Sequence, residues 1–593
     1  MSADPAAEAR TPAPDSPSAR DVSARPGASA STAGSQPPEA SVPREASVPR
    51  EASVPRQASD PREASDPRQA SVPSEASVPR GTRLDAWWAR VLARPRGRAL
   101  WTWGAPILVT LIAAVLRFWN LGHPQQLVFD ETYYVKDAWT LWHLGYESTW
   151  PEGADERFAD GETGIFNEAP SYVVHPPLGK WLLGAGMAAF GAGDAFWWRA
   201  TTALAGTVAV LIVTLVARRL TGTTIVAAIA GLLFAIDGNA IVMSRVALLD
   251  TWLMLLCLIG VWFVVLDRDR SRALLESRLA RARSAGREPA YGPALWTRPW
   301  VIAAGAAFGA ATAVKWSGLY FLAAFGVYLV IVDALARRRA GLPFWATSAV
   351  LKQGPVTFLL LVPVAAVVYL ASWTGWLVTD GGYDRNWAGQ PGNAATGALA
   401  WVPGWLQSLW HYHQSAYSFH LGVHGEHPWQ SNPLTWLFMI RPTNMYYREV
   451  DGCGDGCVES IMGIGNPLIW WAAAAAVGYL LYRLVRYREW TVGLTLAGLA
   501  AGYLPWLLYL DRTVFQFYSI VFQPYLVLGL AIVIGIVLGR PGDPTWRRER
   551  GIAIVVVFLL WAVAISAWFY PIWSAMPIDE TFRRLHFWLP SWG

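Results

Sequence analysis

Long apolar segments fill most of the chain after residue 98, and they constrain its fold more than any other feature. Eleven such segments approach the roughly 20 residues that an α-helix needs to cross a bilayer. They cover residues 99–119, 199–217, 223–243, 246–266, 299–316, 318–335, 353–373, 463–482, 491–510, 516–538 and 552–570. Soluble domains carry roughly a quarter charged residues, whereas this chain carries 15%. The sequence therefore predicts an all-α polytopic membrane protein with about eleven transmembrane helices.

The basic clusters predict the orientation of these helices, because Lys and Arg concentrate in cytoplasmic loops. The clusters lie at 93–98, 217–220, 267–298, 336–339, 483–488 and 540–550. They all fall on one side, so we expect a multi-pass protein of the cell membrane with a cytoplasmic N-terminus and an external C-terminus. Two long loops, 120–198 and 374–462, then face outward and can cover one cavity. The short apolar run 178–193 is predicted to be an interfacial or re-entrant helix.

The first 98 residues differ in composition from the rest. Hexapeptides such as EASVPR recur between residues 39 and 80, and a Pro in each one prevents regular helix or sheet. We interpret 1–98 as a disordered cytoplasmic tail. The remainder divides into a transmembrane module, 99–373, which contains the first external loop, the external loop 374–462, and C-terminal transmembrane helices, 463–593.

An acidic pair in the motif FDETYY, Asp130 and Glu131, lies just beyond the outer end of the first predicted span. Acidic pairs in loops are often simply solvated. Here the pair lies at the lipid interface beside aromatic residues, and basic residues face the same side. This arrangement favours an active site that acts on a lipid-borne substrate.

Several cations lie at predicted outer helix ends, where the positive-inside rule expects few. They are Arg117, Arg199, Arg245 and Lys315. Each could extend to lipid headgroups, but together they could bind one anion, for which a lipid phosphate is the obvious candidate. Arg245 could equally form a structural ion pair with Asp250. His175 and Lys180, in the motif HPPLGK, lie in the same external loop and are further candidates for binding the donor.

The second external loop contains five of the nine His residues of the chain, at 411, 413, 420, 424 and 427. Their spacing matches no closed zinc pattern, so sugar or acceptor binding is favoured over metal binding. The candidates are His420, His427, Gln430 and Arg441. Cys453 and Cys457 lie on the external side, where a disulfide is favoured over a metal pair.

These motifs together resemble the protein O-mannosyltransferases, which use polyprenyl-phosphate-mannose and have the type C glycosyltransferase fold. The resemblance, closest to actinobacterial members, extends from about residue 99 to 590. It depends on FDETYY, HPPLGK, RVALLD (245–250), AVKWSGLY around Lys315, HPWQSNPLTW from His427, and QFYSIVFQPYL from Gln516. The acidic pair alone occurs in many type C transferases, but the combination is more specific.

The resemblance implies a function and roles for individual residues. It implies transfer of mannose to Ser or Thr hydroxyls of secreted or membrane proteins, with Asp130 as the catalytic base and Glu131 helping to bind the acceptor. Arg117 and Arg199 match arginines that matter in the family. Loop 374–462 is too short for the β-trefoil domain inserted there in eukaryotic members, as is also true of bacterial members.

The chemistry of such a transfer requires one carboxylate. A phosphate leaving group departs as an anion and needs no general acid, unlike the leaving group in glycoside hydrolysis, while the acceptor hydroxyl needs a base. In-line attack then inverts the anomeric configuration, and the outer cations can stabilise the departing phosphate. No cofactor or metal is required, although a divalent ion remains an open alternative. No nucleic-acid partner is expected.

Two alternatives remain open at this point. A type C transferase could move another lipid-linked sugar, such as arabinose or aminoarabinose, to a lipid or a wall polysaccharide. A secondary transporter is the alternative from a different class. It predicts internal repeats and ionisable residues at the bilayer midplane, and the closest match to the latter is Asp237.

Overall fold

Helices form most of the protein in the computed structural model, which describes residues 82–451, 453 and 456–593. They are α1 (Arg83–Ala93), α2 (Pro95–Phe118), α3 (Glu131–Leu144), α4 (Ala154–Ala159), α5 (Leu178–Phe190), α6 (Ala195–Thr221), α7 (Thr224–Ile236), α8 (Gly238–Arg245), α9 (Asp250–Ser284), α10 (Pro299–Val314), α11 (Gly318–Arg339), α12 (Trp345–Thr347), α13 (Gly354–Ser372), α14 (Thr374–Val378), α15 (Gly404–Gly422), α16 (Pro467–Tyr487), α17 (Trp490–Tyr503), α18 (Gln523–Leu538), α19 (Thr545–Trp573) and α20 (Glu580–Arg584). A π-helical segment, Ser348–Gln353, joins α12 to α13.

One small sheet accompanies the helices. Strands β1 (Asn444–Glu449), β2 (Cys457–Met462) and β3 (Ile578–Asp579) pair antiparallel in that order. A disulfide joins Cys453 to Cys457 between β1 and β2, with Cα atoms 5.5 Å apart. The short 3₁₀ helices are Trp387–Gly389, Gly397–Leu399, Pro433–Phe438, Leu504–Leu508, Gln516–Val521 and Pro590–Trp592.

The predicted polytopic architecture is confirmed. Eight helices of the described chain are long and apolar enough to cross a membrane, and a ninth span results if α7 and α8, which meet at a 58° bend, are counted together. The other two predicted spans coincide with α10 and α18, which are apolar but have only 16 residues each. Every predicted span therefore has a helical counterpart.

The predicted tail differs from the structure in its last part. Residues 1–81, with the hexapeptide repeats, lie outside the described residues, but 83–93 form helix α1. A reciprocal capping box begins this helix: the Thr82 hydroxyl accepts from the Asp85 N–H, and the Asp85 carboxylate accepts from the Thr82 N–H. Asp85 also pairs with Arg548 of α19, 3.0 Å away. These contacts give the segment a defined helical structure.

Buried ion pairs hold one end of the helix bundle together. Arg298, before α10, donates to Asp267 of α9 at 2.5 Å and to Asp333 of α11 at 2.7 Å. All three side chains are buried, and buried charges are tolerated only when they are paired in this way. The predicted cytoplasmic clusters around α1, Arg219, Arg298 and Arg548 gather here, and we call this the basic end.

The opposite end carries the two long connections, and we call it the loop end. Helix α5 lies here, between α3 and α6, and its 13 residues span only about 20 Å, which is too short to cross a bilayer. Its glycines permit close packing. A Cβ on Gly184 would meet the Trp142 ring at 2.5 Å, and one on Gly186 would meet the Trp197 carbonyl oxygen at 2.7 Å. The prediction of a non-spanning helix agrees with this packing.

Candidate functional site

The two long connections meet at the loop end through Tyr412 of α15. Its hydroxyl donates to the Val173 carbonyl oxygen at 2.8 Å, and the Val173 N–H donates back to it at 3.2 Å. His420 of the same helix lies 3.1 Å from the Val174 carbonyl oxygen. The segment before Pro176 is thereby fixed against the second loop, so the two long loops are in direct contact at this end.

Asp130 lies in the candidate site, at the start of α3. The preceding residue, Phe129, has φ = +52°, a left-handed conformation that costs a bulky residue about 1–2 kcal/mol. Its ring packs edge-on against His427, Phe515 and Phe517, at centroid distances of 5.7–6.3 Å. This aromatic packing holds the strained turn and so sets the direction in which Asp130 leaves the backbone.

The Asp130 carboxylate is unusual because it accepts no hydrogen bond from any described residue, although the side chain is mostly enclosed. Burial raises the pKa of Asp130 to about 6; the charge of Asp250 acts in the same direction, and Lys315 partly opposes both. A carboxylate with this pKa is largely ionised at pH 7 and still basic enough to accept a proton. It is suited to act as a general base.

Lys315 and Asp250 form an ion pair beside Asp130, with Nζ and Oδ2 2.7 Å apart. The ammonium lies 5.8 Å from the ring centroid of Tyr134 and 5.2 Å from that of Tyr518, within cation–π range. Arg245 therefore does not pair with Asp250, as one sequence interpretation proposed. The site instead holds Lys315 between one carboxylate that it neutralises and another, Asp130, that remains free.

Two histidines and an arginine form another wall of the site. His175 stacks on His420 with centroids 5.3 Å apart, and Arg512 Nη2 donates to His420 Nδ1 at 3.0 Å. Burial, followed by the charge of Arg512, lowers the pKa of His420 to about 4. The pKa of His175 is well below its usual value, because of burial and then the charge of Lys315. Both rings are therefore neutral at pH 7.

Glu131 has a different environment from its neighbour and from the sequence expectation. It is fully buried, and its Oε1 accepts from Arg199 Nε and the Ala247 N–H, each at 2.8 Å. Oε2 accepts from Arg199 Nη2 at 2.8 Å and the Val128 N–H at 2.9 Å. Four donors occupy the four acceptor positions of a carboxylate. Glu131 thus has no free position for an acceptor and instead joins α3 to α6 and to the start of α9.

The three predicted phosphate-binding arginines are also occupied by the protein itself. Besides Glu131, Arg199 donates to the Leu121, Pro124 and Gln126 carbonyl oxygens. Arg117 donates to Ser244 Oγ and to the Ala113, Ala235 and Phe234 carbonyl oxygens. Arg245 donates to the carbonyl oxygens of Leu116, Arg117, Trp119 and Asn120, which include the last turn of α2. All three are buried, and donor binding by these arginines stays a prediction.

Lys180 likewise has internal partners. It forms a buried ion pair with Glu147 and donates to the His175 carbonyl oxygen at 3.3 Å. Asp137, two turns after Asp130 on α3, lies near this pair, and burial raises its pKa to about 7. Lys180 thus supports the segment that carries His175.

The remaining predicted acceptor residues differ in their contacts. His427 contacts Phe129 and Phe515 and receives the Trp429 N–H at 3.1 Å. Gln430 is exposed on the surface, and Arg441 donates to the Pro428 carbonyl oxygen while lying over Trp429. The structure thus brings His420 and His427 into the site, with Gln430 and Arg441 at its periphery. Within the described part of the chain, no group of three His, Cys, Asp or Glu residues is placed to hold a metal ion.

The sequence analysis did not identify Arg512 as a residue of the site. It also did not identify Asp250 as the partner of Lys315. The criterion that selected the other cations also applies to Arg512, because it lies between the ninth and tenth predicted spans, in a loop that is predicted to face outward. The motif RVALLD includes Asp250, but sequence separation hides its contact with Lys315, 65 residues away.

Comparison with known proteins identifies the family. The model of the dolichyl-phosphate-mannose-protein mannosyltransferase family matches residues 107–373, and that of the C-terminal four TMM region of protein-O-mannosyltransferase matches 405–592. The structure of the Saccharomyces cerevisiae protein O-mannosyltransferase Pmt1-Pmt2 complex bound to the sugar donor superposes with a TM-score of 0.62 at 14% identity. It covers 87% of this chain and 95% of that one. The predicted type C glycosyltransferase fold is thereby confirmed.

Five curated relatives match over nearly their whole length, and each of these is a polyprenol-phosphate-mannose–protein mannosyltransferase. That of Mycolicibacterium smegmatis is 36% identical, covering 83% of this chain and 93% of its own. That of Mycobacterium tuberculosis is 35% identical, with 83% and 92% covered, and that of Corynebacterium glutamicum is 30% identical, with 83% and 93% covered. The chain described here therefore belongs to the polyprenol-phosphate-mannose–protein mannosyltransferase family.

Proposed function

We propose that this protein transfers mannose from polyprenyl-phosphate-mannose to Ser or Thr hydroxyls of proteins, with inversion and with Asp130 as the general base. The observation that carries the proposal is the Asp130 carboxylate, which is enclosed, accepts no hydrogen bond from the described residues, and has a pKa of about 6. Family membership supports the donor and the acceptor class, because the curated relatives are named for this reaction.

The reaction balances with the residues present. The acceptor hydroxyl gives its proton to Asp130 as its oxygen bonds to the anomeric carbon, and the bond from that carbon to the phosphate oxygen breaks with its electron pair. Polyprenyl phosphate leaves as an anion, so no proton donor is needed at that side. The Lys315 ammonium, beside Asp130, would stabilise the charge that develops on the phosphate. The scheme assigns no step to a metal ion.

We further propose the sidedness of the reaction. The helices put the basic clusters at one end and Asp130 at the other, and basic loops are retained in the cytoplasm. The site would then face the outside of the plasma membrane, with the N-terminus cytoplasmic and the C-terminus external. The lipid donor would enter from the bilayer, and a Ser/Thr-rich acceptor segment would approach from outside during secretion. His175, His420 and His427 line the space between the loops and would contact sugar or acceptor.

The proposed function is tested by mannose transfer in membranes that contain this protein as the only such enzyme. Polyprenyl-phosphate-mannose carrying labelled mannose is mixed with a peptide rich in Ser, Thr and Pro, and the product is treated with an α-mannosidase. We expect labelled peptide that loses its label to the α-specific enzyme. If no mannose is transferred but a different lipid-linked sugar is, another type C glycosyltransferase activity would replace this proposal.

The pH dependence of the reaction should reflect Asp130. A general base acts when ionised, so kcat/KM is expected to fall about tenfold per pH unit below pH 6 and to level off above it, because the pKa of Asp130 is about 6. The pKa of His420 is about 4, and burial, followed by the charge of Lys315, holds the pKa of His175 well below its usual value, so neither ring should produce this limb. The rate of transfer at low donor and acceptor concentration, measured from pH 5 to 8, checks the position of this acid limb. A profile that stays flat down to pH 5 would contradict it.

Two substitutions beside Asp130 should move the acid limb in opposite directions. Lys315→Gln removes the positive charge that lowers the pKa of Asp130, so the limb should move to higher pH. Asp250→Asn removes a negative charge that raises this pKa, so the limb should move to lower pH. A shift of roughly half a unit to one unit is expected for each. Movement in the same direction would exclude Asp130 as the group that titrates.

A further inference from the structure

The other cations considered at the loop end each bind a carboxylate or several carbonyl oxygens of the protein itself. Arg199 binds Glu131 and backbone carbonyls, and Arg117 and Arg245 bind mainly carbonyls around the ends of α2 and α7. Lys180 pairs with Glu147, and Lys315 pairs with Asp250. A donor phosphate carries a negative charge and several acceptor oxygens. Lys315, which already has one partner, can neutralise only part of this charge and donate to only some of these oxygens.

Arg512 is the exception among these cations. It lies between α17 and α18, and its only side-chain hydrogen bond to a described residue is the one from Nη2 to His420 Nδ1, at 3.0 Å. Nε is buried without a partner, Nη1 has none, and no carboxylate of the described chain pairs with the guanidinium. An unsatisfied buried donor is costly, so its retention here points to a ligand that supplies acceptors.

The contact with His420 leaves the charge of Arg512 uncompensated. Because Arg512 donates to Nδ1, the His420 proton is on Nε2, which faces the Val174 carbonyl oxygen at 3.1 Å. The imidazole is then neutral, in agreement with its pKa of about 4. His420 thus fixes the orientation of the Arg512 guanidinium. The other N–H groups of the guanidinium stay available to bind a ligand.

Arg512 also lies on the same side of the site as the other reacting groups. Its charge acts on His175, His420 and Tyr518, and the ring of Tyr518 is 5.2 Å from Lys315 Nζ. The loop that carries it is tied to the second external connection, since the Thr513 N–H donates to the Val423 carbonyl oxygen at 3.2 Å. Lys315 and Arg512 therefore lie around one space, which Asp130 also borders.

We propose that Arg512 binds the phosphate of the polyprenyl donor, with its free Nε and Nη1 groups donating to phosphate oxygens while Lys315 contributes the second positive charge. This role rests on the proposed function. It assigns the phosphate to a residue between the ninth and tenth predicted spans, and not to the three arginines that the sequence favours. A guanidinium suits this task because its planar N–H groups match phosphate oxygens in pairs.

The test measures binding of decaprenyl monophosphate, the leaving product in this scheme, to the purified full-length protein without acceptor. We expect Arg512→Gln to weaken binding by about tenfold to hundredfold, the effect of losing hydrogen bonds to a charged group. Arg512→Lys should weaken binding less, because lysine keeps the positive charge although it lacks the planar pair of N–H groups. Arg157→Gln is the control, since Arg157 is an exposed arginine of the first external loop that pairs only with Glu162.

Decaprenol, which lacks the phosphate, provides the second comparison. Its binding should be equal in the wild type and the Arg512 variants, and this equality also shows that the variants are folded. Unchanged decaprenyl monophosphate affinity in both Arg512 variants would overturn the inference, as would an equal loss of decaprenol binding. If the protein transfers no mannose but its phosphate binding depends on Arg512, the proposed function fails and this inference stands. If the protein transfers mannose but its binding of decaprenyl monophosphate does not depend on Arg512, the proposed function stands and this inference fails.

Discussion

Replacement of Asp130 by Asn is expected to lower mannose transfer by about a hundredfold to ten-thousandfold, the usual contribution of a general base. Asn has nearly the same size as Asp and still accepts a hydrogen bond, but it cannot take the proton of the acceptor hydroxyl. The Asp130 carboxylate has no partner among the described residues, so the substitution breaks no internal hydrogen bond and leaves no partner unsatisfied. The loss should therefore appear in kcat, with protein level and thermal stability unchanged.

The matched control is Asp160→Asn, at an exposed acidic residue of the same loop. Both variants remove one negative charge from the loop end, so a general electrostatic effect on donor approach would affect them equally. Transfer should be normal in Asp160→Asn. Activity that survives in Asp130→Asn would remove Asp130 from the catalytic role but leave the family assignment intact, since that depends on the sequence matches.

The overall topology could be predicted from sequence because it depends on local quantities. The length of an apolar run suffices to predict a span, and all eleven predicted spans have helical counterparts. The charge of the loops predicts the direction of each span, which stays a prediction. Helix α1 was not predicted because its local signal is weak and its stabilising contact is distant in sequence. A capping box at Thr82 and Asp85 followed by two tryptophans opens the helix, but the contact that holds it, to Arg548, spans 463 residues.

The candidate site was predicted only in part, and the arginines show why. Cations at the predicted outer ends of spans need a partner, but the sequence does not reveal which partner. The carbonyls at the end of a helix have no intrahelical donor, and Arg245 satisfies those of Leu116 and Arg117 at the end of α2. Arg199 meets Glu131 across 68 residues. A phosphate-binding cation and a helix-capping cation look alike until the fold brings their acceptors together.

Adjacent acidic residues proved to have separate environments for a related reason. Asp130 and Glu131 are consecutive, but Asp130 precedes α3 and Glu131 begins it. The left-handed turn at Phe129 and the start of the helix direct the two side chains to different surroundings. One faces the space between the loops and the other faces α6. Sequence proximity therefore predicted that the pair matters, but not that its members differ in role.

Glu131→Gln is expected to have the largest effect on stability. The substitution leaves the buried Arg199 guanidinium without its counter-charge, and such a change typically costs about 3–5 kcal/mol in the free energy of unfolding. Because Glu131 also accepts the Val128 and Ala247 N–H groups, at least one of them would face an amide donor in its place. A clear drop in melting temperature and in the amount of protein in the membrane should follow. Thermal unfolding in detergent micelles measures the first.

The outcome separates two roles for Glu131. If it binds the acceptor, as the family resemblance implies, Glu131→Gln should raise the acceptor KM while the melting temperature stays unchanged. If it holds the loop, as its four hydrogen bonds indicate, stability should fall, and the KM of the remaining folded enzyme should change little. Glu162→Gln is the control, because it breaks the exposed pair with Arg157, which contributes about 1 kcal/mol or less. Equal stability in the two variants would contradict the anchoring role, and Asp130 would then owe its position chiefly to the Phe129 aromatic cluster.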